Sequence, residues 1–203
     1  MRIAVHGATG RLGRLIMEQA AGAAIAIGRG GPVPDCDVVI DVTSAAGLAA
    51  LLPRLSGQSL VIGTTGDLPE AALAEYAQGA AVAIVPNFSA GVPMLIDLIR
   101  AAVIAMPEEW EVEIVEVHHN QKKDAPSGTA KRLARAVVES GGPQPEQHSL
   151  RLGDTVGEHT VWLSGPGERL ELKHVATRRA VFAIGALRWA KRICDLPHGL
   201  HRP

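Results

Sequence analysis

Through its first 85 residues the chain alternates short apolar, β-branched runs with helix-length amphipathic stretches, and that alternation leaves few folds open. Ile3 to His6 reads as a buried strand and Leu12 to Ala21 as the helix behind it. Ala24 to Ile27 is a second apolar run, and Asp37 to Val42 a third, followed by a helical pattern from Ala45 to Leu55. A strand at Leu60 to Gly63, a helix from Pro69 to Gln78 and a strand at Ala81 to Val85 continue the series. Short strands that are apolar throughout need cover on both faces, and the crossover helices of a parallel sheet supply it.

The pattern changes after about Asn87. A helix near Met94 to Ile104 leads to a strand over 111–117, where charged and apolar residues alternate as in a sheet with one wet face. A helix from Ser127 to Glu139 follows, then a loop from Gly141 to Gln147 and strands near Thr160–Leu163 and Leu170–His174. The last helix spans Ala180 to Ile193, and Leu196 to Pro203 is expected to be a frayed tail. The reading is an α/β domain built from residues 1–88 and 180–203, with a second, α+β domain over 89–179.

Bulk properties exclude several roles. Of the 203 residues 47% are hydrophobic but only 3% aromatic, so the core is built from Ala, Val, Leu and Ile. A net charge of −1 gives no basic footprint for nucleic acid. Cys36 and Cys194 match no metal or redox spacing, which points to a reduced, cytoplasmic protein. No apolar run approaches the roughly 18 residues of a spanning helix, and no signal-peptide layout precedes the first strand. No membrane partner is expected.

Between the first strand and first helix lie Gly7, Ala8, Thr9, Gly10, Arg11, Leu12 and Gly13. Glycines here permit a tight turn and close backbone approach to a pyrophosphate, which the helix N-terminus attracts. Alone, the spacing also fits a plain glycine turn; its place at the opening of a βαβ unit favours a dinucleotide site and a Rossmann-like domain. The acidic residue that usually ends the second strand is missing, and Ile27-Gly28-Arg29-Gly30 stands there instead. Arg29 as ligand of a 2′-phosphate predicts a preference for NADPH over NADH; a solvated loop arginine is the plain alternative. Gly63, Thr64 and Thr65, and then Val85, Pro86, Asn87 and Phe88, follow later strands and are candidates to hold the nicotinamide ring, although such residues also favour ordinary turns.

The densest chemistry lies in the block from His118 through His119 and Lys122 to Asp124-Ala125-Pro126-Ser127-Gly128-Thr129. Two imidazoles, lysines and a helix start at Ser127, itself a candidate substrate contact, suit a carboxylate-bearing substrate on which a proton moves. Histidine titrates near 6.5, so small shifts make it a donor or acceptor near neutrality. Neighbours on a strand face opposite ways, so His118 and His119 point inward together only if the strand ends at or before them. Metal binding by His118, His119 and His159 lacks any HExxH-like spacing, so no metal is expected, and His159 is read as structural.

These motifs, with Asp37-Val38-Val39-Ile40-Asp41-Val42-Thr43, Ser89-Ala90-Gly91-Val92, Val156-Gly157-Glu158-His159-Thr160 and Gly167-Glu168-Arg169-Leu170, resemble the 4-hydroxy-tetrahydrodipicolinate (dihydrodipicolinate) reductase family in order and over nearly the whole chain. The resemblance implies reduction of a cyclic dicarboxylic imine derived from aspartate semialdehyde and pyruvate, in lysine and diaminopimelate biosynthesis. Hydride comes from NADH or NADPH, and water is lost to give tetrahydrodipicolinate. It further implies that His118 and Lys122 carry the acid chemistry, that His119 contacts substrate, and that Gly128 and Thr129 bind a carboxylate beside the helix start at Ser127. The second domain then binds substrate and assembles the protein as a homotetramer through its sheet. The chain is short for this family, with gaps between Gly31 and Asp37 and near Gly142 to His148. Two alternatives stay open: another NAD(P)-dependent oxidoreductase of a small carboxylated substrate, or a non-catalytic NADPH-binding subunit.

Overall fold

In the computed structural model, which describes residues 1–203, the early apolar runs form part of a six-stranded, all-parallel sheet. With elements numbered in chain order, its strands are β1 (Ile3–His6), β2 (Ala24–Ile27), β3 (Val38–Asp41), β4 (Ser59–Ile62), β5 (Ala81–Ile84) and β10 (Gly199–His201). Alternate residues feed two cores. Ile3, Val5, Val38, Ile40, Val61 and Ala83 pack with Ile16 of α1 (Arg11–Gln19) and Ala183, Ala186 and Ala190 of α6 (Ala180–Arg192). Ala4, Val39, Leu60, Ile62 and Val82 pack with Leu48 and Leu51 of α2 (Ala45–Leu51) and Leu73 of α3 (Glu70–Tyr76). Burial on both faces is why these strands carry no polar alternation. They belong to one compact unit, Met1–Phe88 with Ala180–Pro203.

The sheet order β10-β5-β4-β3-β1-β2 leaves β2 at an edge. In the usual doubly wound dinucleotide-binding sheet another strand lies beyond the second. Here residues 28–37 contain neither helix nor strand, so the chain passes from β2 directly to β3 on the other side of β1. The switch in direction falls between β1 and β3, whose carboxyl ends therefore frame the crevice where such sheets take ligands.

Two expectations are corrected in this unit. The helical pattern from Ala45 does not reach Leu55: α2 ends at Leu51 and Leu52–Arg54 tightens into a 3₁₀ turn at Pro53, which lacks the N–H that would continue the helix. The tail is not frayed. Gly199, Leu200 and His201 pair in parallel with Ala81, Val82 and Ala83, Leu200 packs against the core, and Arg202 forms an ion pair with Glu70. Three residues are too few to show a period of two, so the sequence carries no signal for this strand.

The second unit, Ser89–Arg179, is built on a mixed sheet in the order β7-β6-β8-β9. Its elements are α4 (Gly91–Ala105), β6 (Glu111–His118), α5 (Gly128–Glu139), β7 (Glu146–Arg151), β8 (Gly157–Gly165) and β9 (Glu168–Ala176). β7 runs parallel to β6, while β8 and β9 are antiparallel neighbours. Val112 and Ile114, with Val161 and Leu163, bury one face under Val92, Leu95, Ile99 and Val103 of α4 and Leu133 and Val137 of α5. α4 starts at Gly91, ahead of the expected Met94, because Pro93 sits in the first turn, where a missing N–H costs nothing. The expected loop over Gly141 to Gln147 gives way to β7 at Glu146. This strand, Glu-Gln-His-Ser-Leu-Arg, has no β-branched residue and lies on an edge, so its composition hides it.

Candidate active site

The turn after β1 is shaped for close approach. Gly7 has φ +90, and a Cβ there would sit 2.8 Å from the Val42 carbonyl oxygen and from Thr43 Cγ2; a Cβ on Gly13 would overlap the Gly7 carbonyl. Glycine at the first position permits the left-handed turn, and at the second it lets α1 lie against β1. Gly10 precedes α1 and no side chain caps the helix, so its first N–H groups are available to an anion. The Gly7–Gly13 turn therefore fits a dinucleotide pyrophosphate. Thr9, Gly10 and Arg11 are exposed, and Ala8 and Leu12 partly so. Arg29 is exposed beyond the end of β2.

The other expected cofactor contacts divide into exposed and buried residues. Thr65 and Pro86 are exposed and Asn87 is half-buried, whereas Thr64, Val85 and Phe88 are buried. Gly63 makes room for the Phe88 ring, so Phe88 shapes this edge from within the core. The Thr64 hydroxyl donates to Asp41 Oδ2 at 2.5 Å and accepts from the Thr43 N–H at 2.9 Å. Asp41, fully buried, also accepts from the Thr43 hydroxyl at 2.7 Å and lies 2.7 Å from His6 Nδ1.

In the second unit β6 ends at His118, and strand alternation puts Glu116 and His118 on the same buried face. Nδ1 of His118 is hydrogen-bonded to Glu116 Oε2. The other carboxylate oxygen, Oε1, accepts from Arg151 Nη2 at 2.8 Å and from the Ser127 N–H at 3.3 Å. Burial pushes the Glu116 carboxyl up, but the Arg151 guanidinium and His118 more than offset it and hold it below the usual range. Burial drives the His118 imidazole down; Glu116 opposes this, and the positive charges of Lys122 and Arg151 add to it. His118 is therefore neutral near pH 7, with Nδ1–H on the carboxylate and Nε2 as the acceptor. Gly157 lies against that nitrogen: a Cβ there would come within 3.1 Å of Nε2.

His119, half-buried, is the first residue past the end of the strand, where strand alternation no longer sets its direction. Lys122 follows in a turn held by its N–H to the His119 carbonyl at 3.1 Å. Its ammonium is paired with both Asp124 oxygens at 2.8 Å, which lowers the Asp124 carboxyl. Arg151 also donates to the carbonyls of Lys122 at 3.2 Å and Asp124 at 2.6 Å, so one side chain holds both Glu116 and the loop that carries Lys122. Ser127, expected at the substrate, is buried and caps α5 by accepting from the Ala130 N–H at 3.1 Å. The groups that open outward at this helix start are Gly128, exposed, and Thr129, half-buried.

His159 lies behind His118 with ring centroids 5.1 Å apart, and its Nε2 is 3.3 Å from the Ser127 hydroxyl. Burial drives its imidazole down to about 4, so it packs as a neutral ring. Glu116, His118 and His159 bring ligand atoms within 4.8 Å of one another, a spatial cluster that sequence spacing does not reveal. Glu116 and His118 are hydrogen-bonded to each other and His159 Nε2 lies on the Ser127 hydroxyl, while His159 Nδ1 is buried without a partner. Sequence reasoning missed Glu116 and Arg151. For Glu116 the signal was present, since it stands two residues before His118; Arg151 lay at the end of the hidden strand.

Comparison with known proteins identifies the family and the fold. Residues 91–202 match the family model for the dihydrodipicolinate reductase C-terminus. The chain is 41% identical to the 4-hydroxy-tetrahydrodipicolinate reductase of Xanthomonas axonopodis pv. citri (strain 306), across all of this chain and 95% of the relative. It is 39% identical to the one of Myxococcus xanthus (strain DK1622), over 97% of this chain and 85% of the relative. The first alignment extends over 229 positions against 203 residues here, as expected for a shortened member. The fold is that of the dipicolinate-bound dihydrodipicolinate reductase from Paenisporosarcina sp. TG-14, with a TM-score of 0.76 at 21% identity, covering 100% of this chain and 97% of that one. An engineered D-amino acid dehydrogenase bound to NADP+ shares the fold more loosely, at a TM-score of 0.53 and 13% identity, with 100% and 92% covered. This chain belongs to the dihydrodipicolinate reductase family.

Proposed function

We propose that the chain reduces 4-hydroxy-tetrahydrodipicolinate to tetrahydrodipicolinate with loss of water, using NADPH in preference to NADH, in lysine and diaminopimelate biosynthesis. The observation that carries the reading is His118, hydrogen-bonded through Nδ1 to the fully buried Glu116 carboxylate, in a family member that keeps Lys122 and the Gly128–Thr129 helix start. The bound nicotinamide supplies hydride. The turn from Gly7 to Leu12 would hold its pyrophosphate, Arg29 would meet a 2′-phosphate, and Gly63, Thr65, Pro86 and Asn87 would contact the nicotinamide. His119, Lys122, Gly128 and Thr129 hold the substrate carboxylates.

The acid–base work follows from the resting state of His118. Loss of the hydroxyl as water requires a proton to leave the neighbouring carbon, and a neutral Nε2 accepts it. The imidazolium so formed lies against the Glu116 carboxylate, which favours it. Lys122 protonates the departing hydroxide and recovers its proton from solvent. Once hydride has been added, the ring holds an extra electron pair, and His118 returns its proton to the same carbon. The cycle consumes one proton from solvent and leaves His118 neutral.

The working form in this reading is a cytoplasmic homo-oligomer, a tetramer. In support, the sheet face turned away from α4 and α5 carries Val115 and Val117, half-buried, and Leu150 and Val175, 53% and 42% exposed. No helix is long and apolar enough to cross a membrane. A diaminopimelate auxotroph lacking its own reductase tests the reading in cells. The wild-type gene is expected to restore growth without diaminopimelate, and the His118→Ala gene is not. Failure of the wild type to restore growth, with the protein present at normal levels, would sink the assignment.

A further inference from the structure

The proposed chemistry uses no polar side chain of the sheet interior, yet a buried histidine–aspartate pair lies at the sheet's switch point. We propose that His6 is a direct ligand of the dinucleotide: Asp41 fixes its Nδ1, and its Nε2 accepts a hydrogen bond from a hydroxyl of a cofactor ribose. This rests on the reading that the crevice above β1 and β3 holds a nicotinamide dinucleotide.

Register places the pair. His6 and Asp41 are the last residues of β1 and β3 and lie directly opposite each other, and Gly7 of the glycine turn comes next in the chain. Strand alternation puts His6 on the same face as Ala4, away from the core under α1. Asp41 collects His6 Nδ1 and the Thr43 hydroxyl at 2.7 Å each and the Thr64 hydroxyl at 2.5 Å. One carboxylate thus ties together the carboxyl-end turns of three adjacent strands. A carboxylate accepts hydrogen bonds only, so Nδ1 is the donor and Nε2 of a neutral ring is left as an acceptor. No protein group is hydrogen-bonded to that nitrogen, and the ring, its side chain 11% exposed, sits at the carboxyl end of β1 beside the glycine turn. Such a site offers phosphate oxygens, which need donors, and ribose hydroxyls, which can donate; an acceptor suits the hydroxyls. A residue kept solely to satisfy Asp41 would need only the Nδ1 side.

Asparagine separates the two roles, because its side-chain amide can reproduce the Nδ1 donor and nothing replaces Nε2. Dissociation constants for NADPH and NADH are measured by fluorescence titration without substrate, beside the thermal midpoint of each protein. His6→Asn is expected to keep the wild-type midpoint and to weaken NADPH binding about tenfold, the scale of one lost hydrogen bond. His6→Ala is expected to weaken binding equally and also lower the midpoint. At saturating NADPH, kcat of His6→Asn is expected to stay within about twofold of wild type, the loss appearing in KM. Wild-type affinity in His6→Asn, with NADPH binding intact in the parent, would overturn the role of Nε2 alone. A parent that binds neither dinucleotide would remove the cofactor reading and this inference with it.

Discussion

His118→Ala and Lys122→Ala are each expected to lower kcat by about two or more orders of magnitude, the scale of lost general acid–base help. The two losses differ in origin. His118 is neutral at rest because burial holds its imidazole below 6.5, and the neutral form is the one that accepts the first proton. Wild-type kcat/KM should therefore fall as pH drops through that lowered value, with no histidine limb on the alkaline side. Lys122 acts as a cation, and its ammonium is already organised by Asp124 at 2.8 Å, so a substrate carboxylate must compete with Asp124 for it. Lys122→Ala should raise KM for the dicarboxylate as well as lower kcat. Near-wild-type turnover in either variant contradicts its role in proton transfer. An acid-side plateau in kcat/KM, with a fall through the histidine range on the alkaline side, contradicts a neutral His118 as the base.

Arg151→Ala is expected to cost about 3–5 kcal/mol of stability, as when one partner of a buried ion pair is removed. The guanidinium is 19% exposed and the Glu116 carboxylate fully buried, so little solvent replaces the lost partner. The carbonyls of Lys122 and Asp124 lose their donor in the same step, which loosens the loop carrying the ammonium. The added Glu116→Gln substitution removes the stranded charge and should recover part of the loss, while leaving kcat low because the amide no longer favours the His118 imidazolium. Urea denaturation of the two single variants and the double variant reads this directly. An unchanged midpoint in Arg151→Ala would show that the pair does not hold this unit together.

The sequence makes the buried strands plain, because a parallel sheet covered on both faces leaves continuous runs such as Val38 to Ile40. It is much less informative about β7 and β10. The first is a polar edge strand and the second spans only Gly199–His201, and neither composition nor period marks a strand of that kind. In the site, His118, Lys122 and Thr129 stand out because they share one short stretch. Arg151 reaches Glu116 from a strand paired with β6 in space but far from it in the chain. Ser127 illustrates the converse: its place at the helix start is legible, but whether its hydroxyl meets substrate or caps α5 depends on which side of that start is buried.

The most direct measurement is a steady-state assay of reduced-nicotinamide loss, with 4-hydroxy-tetrahydrodipicolinate generated in place by its condensing enzyme and NADPH or NADH supplied in turn. Rapid substrate-dependent oxidation is predicted, faster with NADPH, with tetrahydrodipicolinate as product. No oxidation of either cofactor by folded protein that binds NADPH would contradict the account and leave a dinucleotide-binding chain of another purpose.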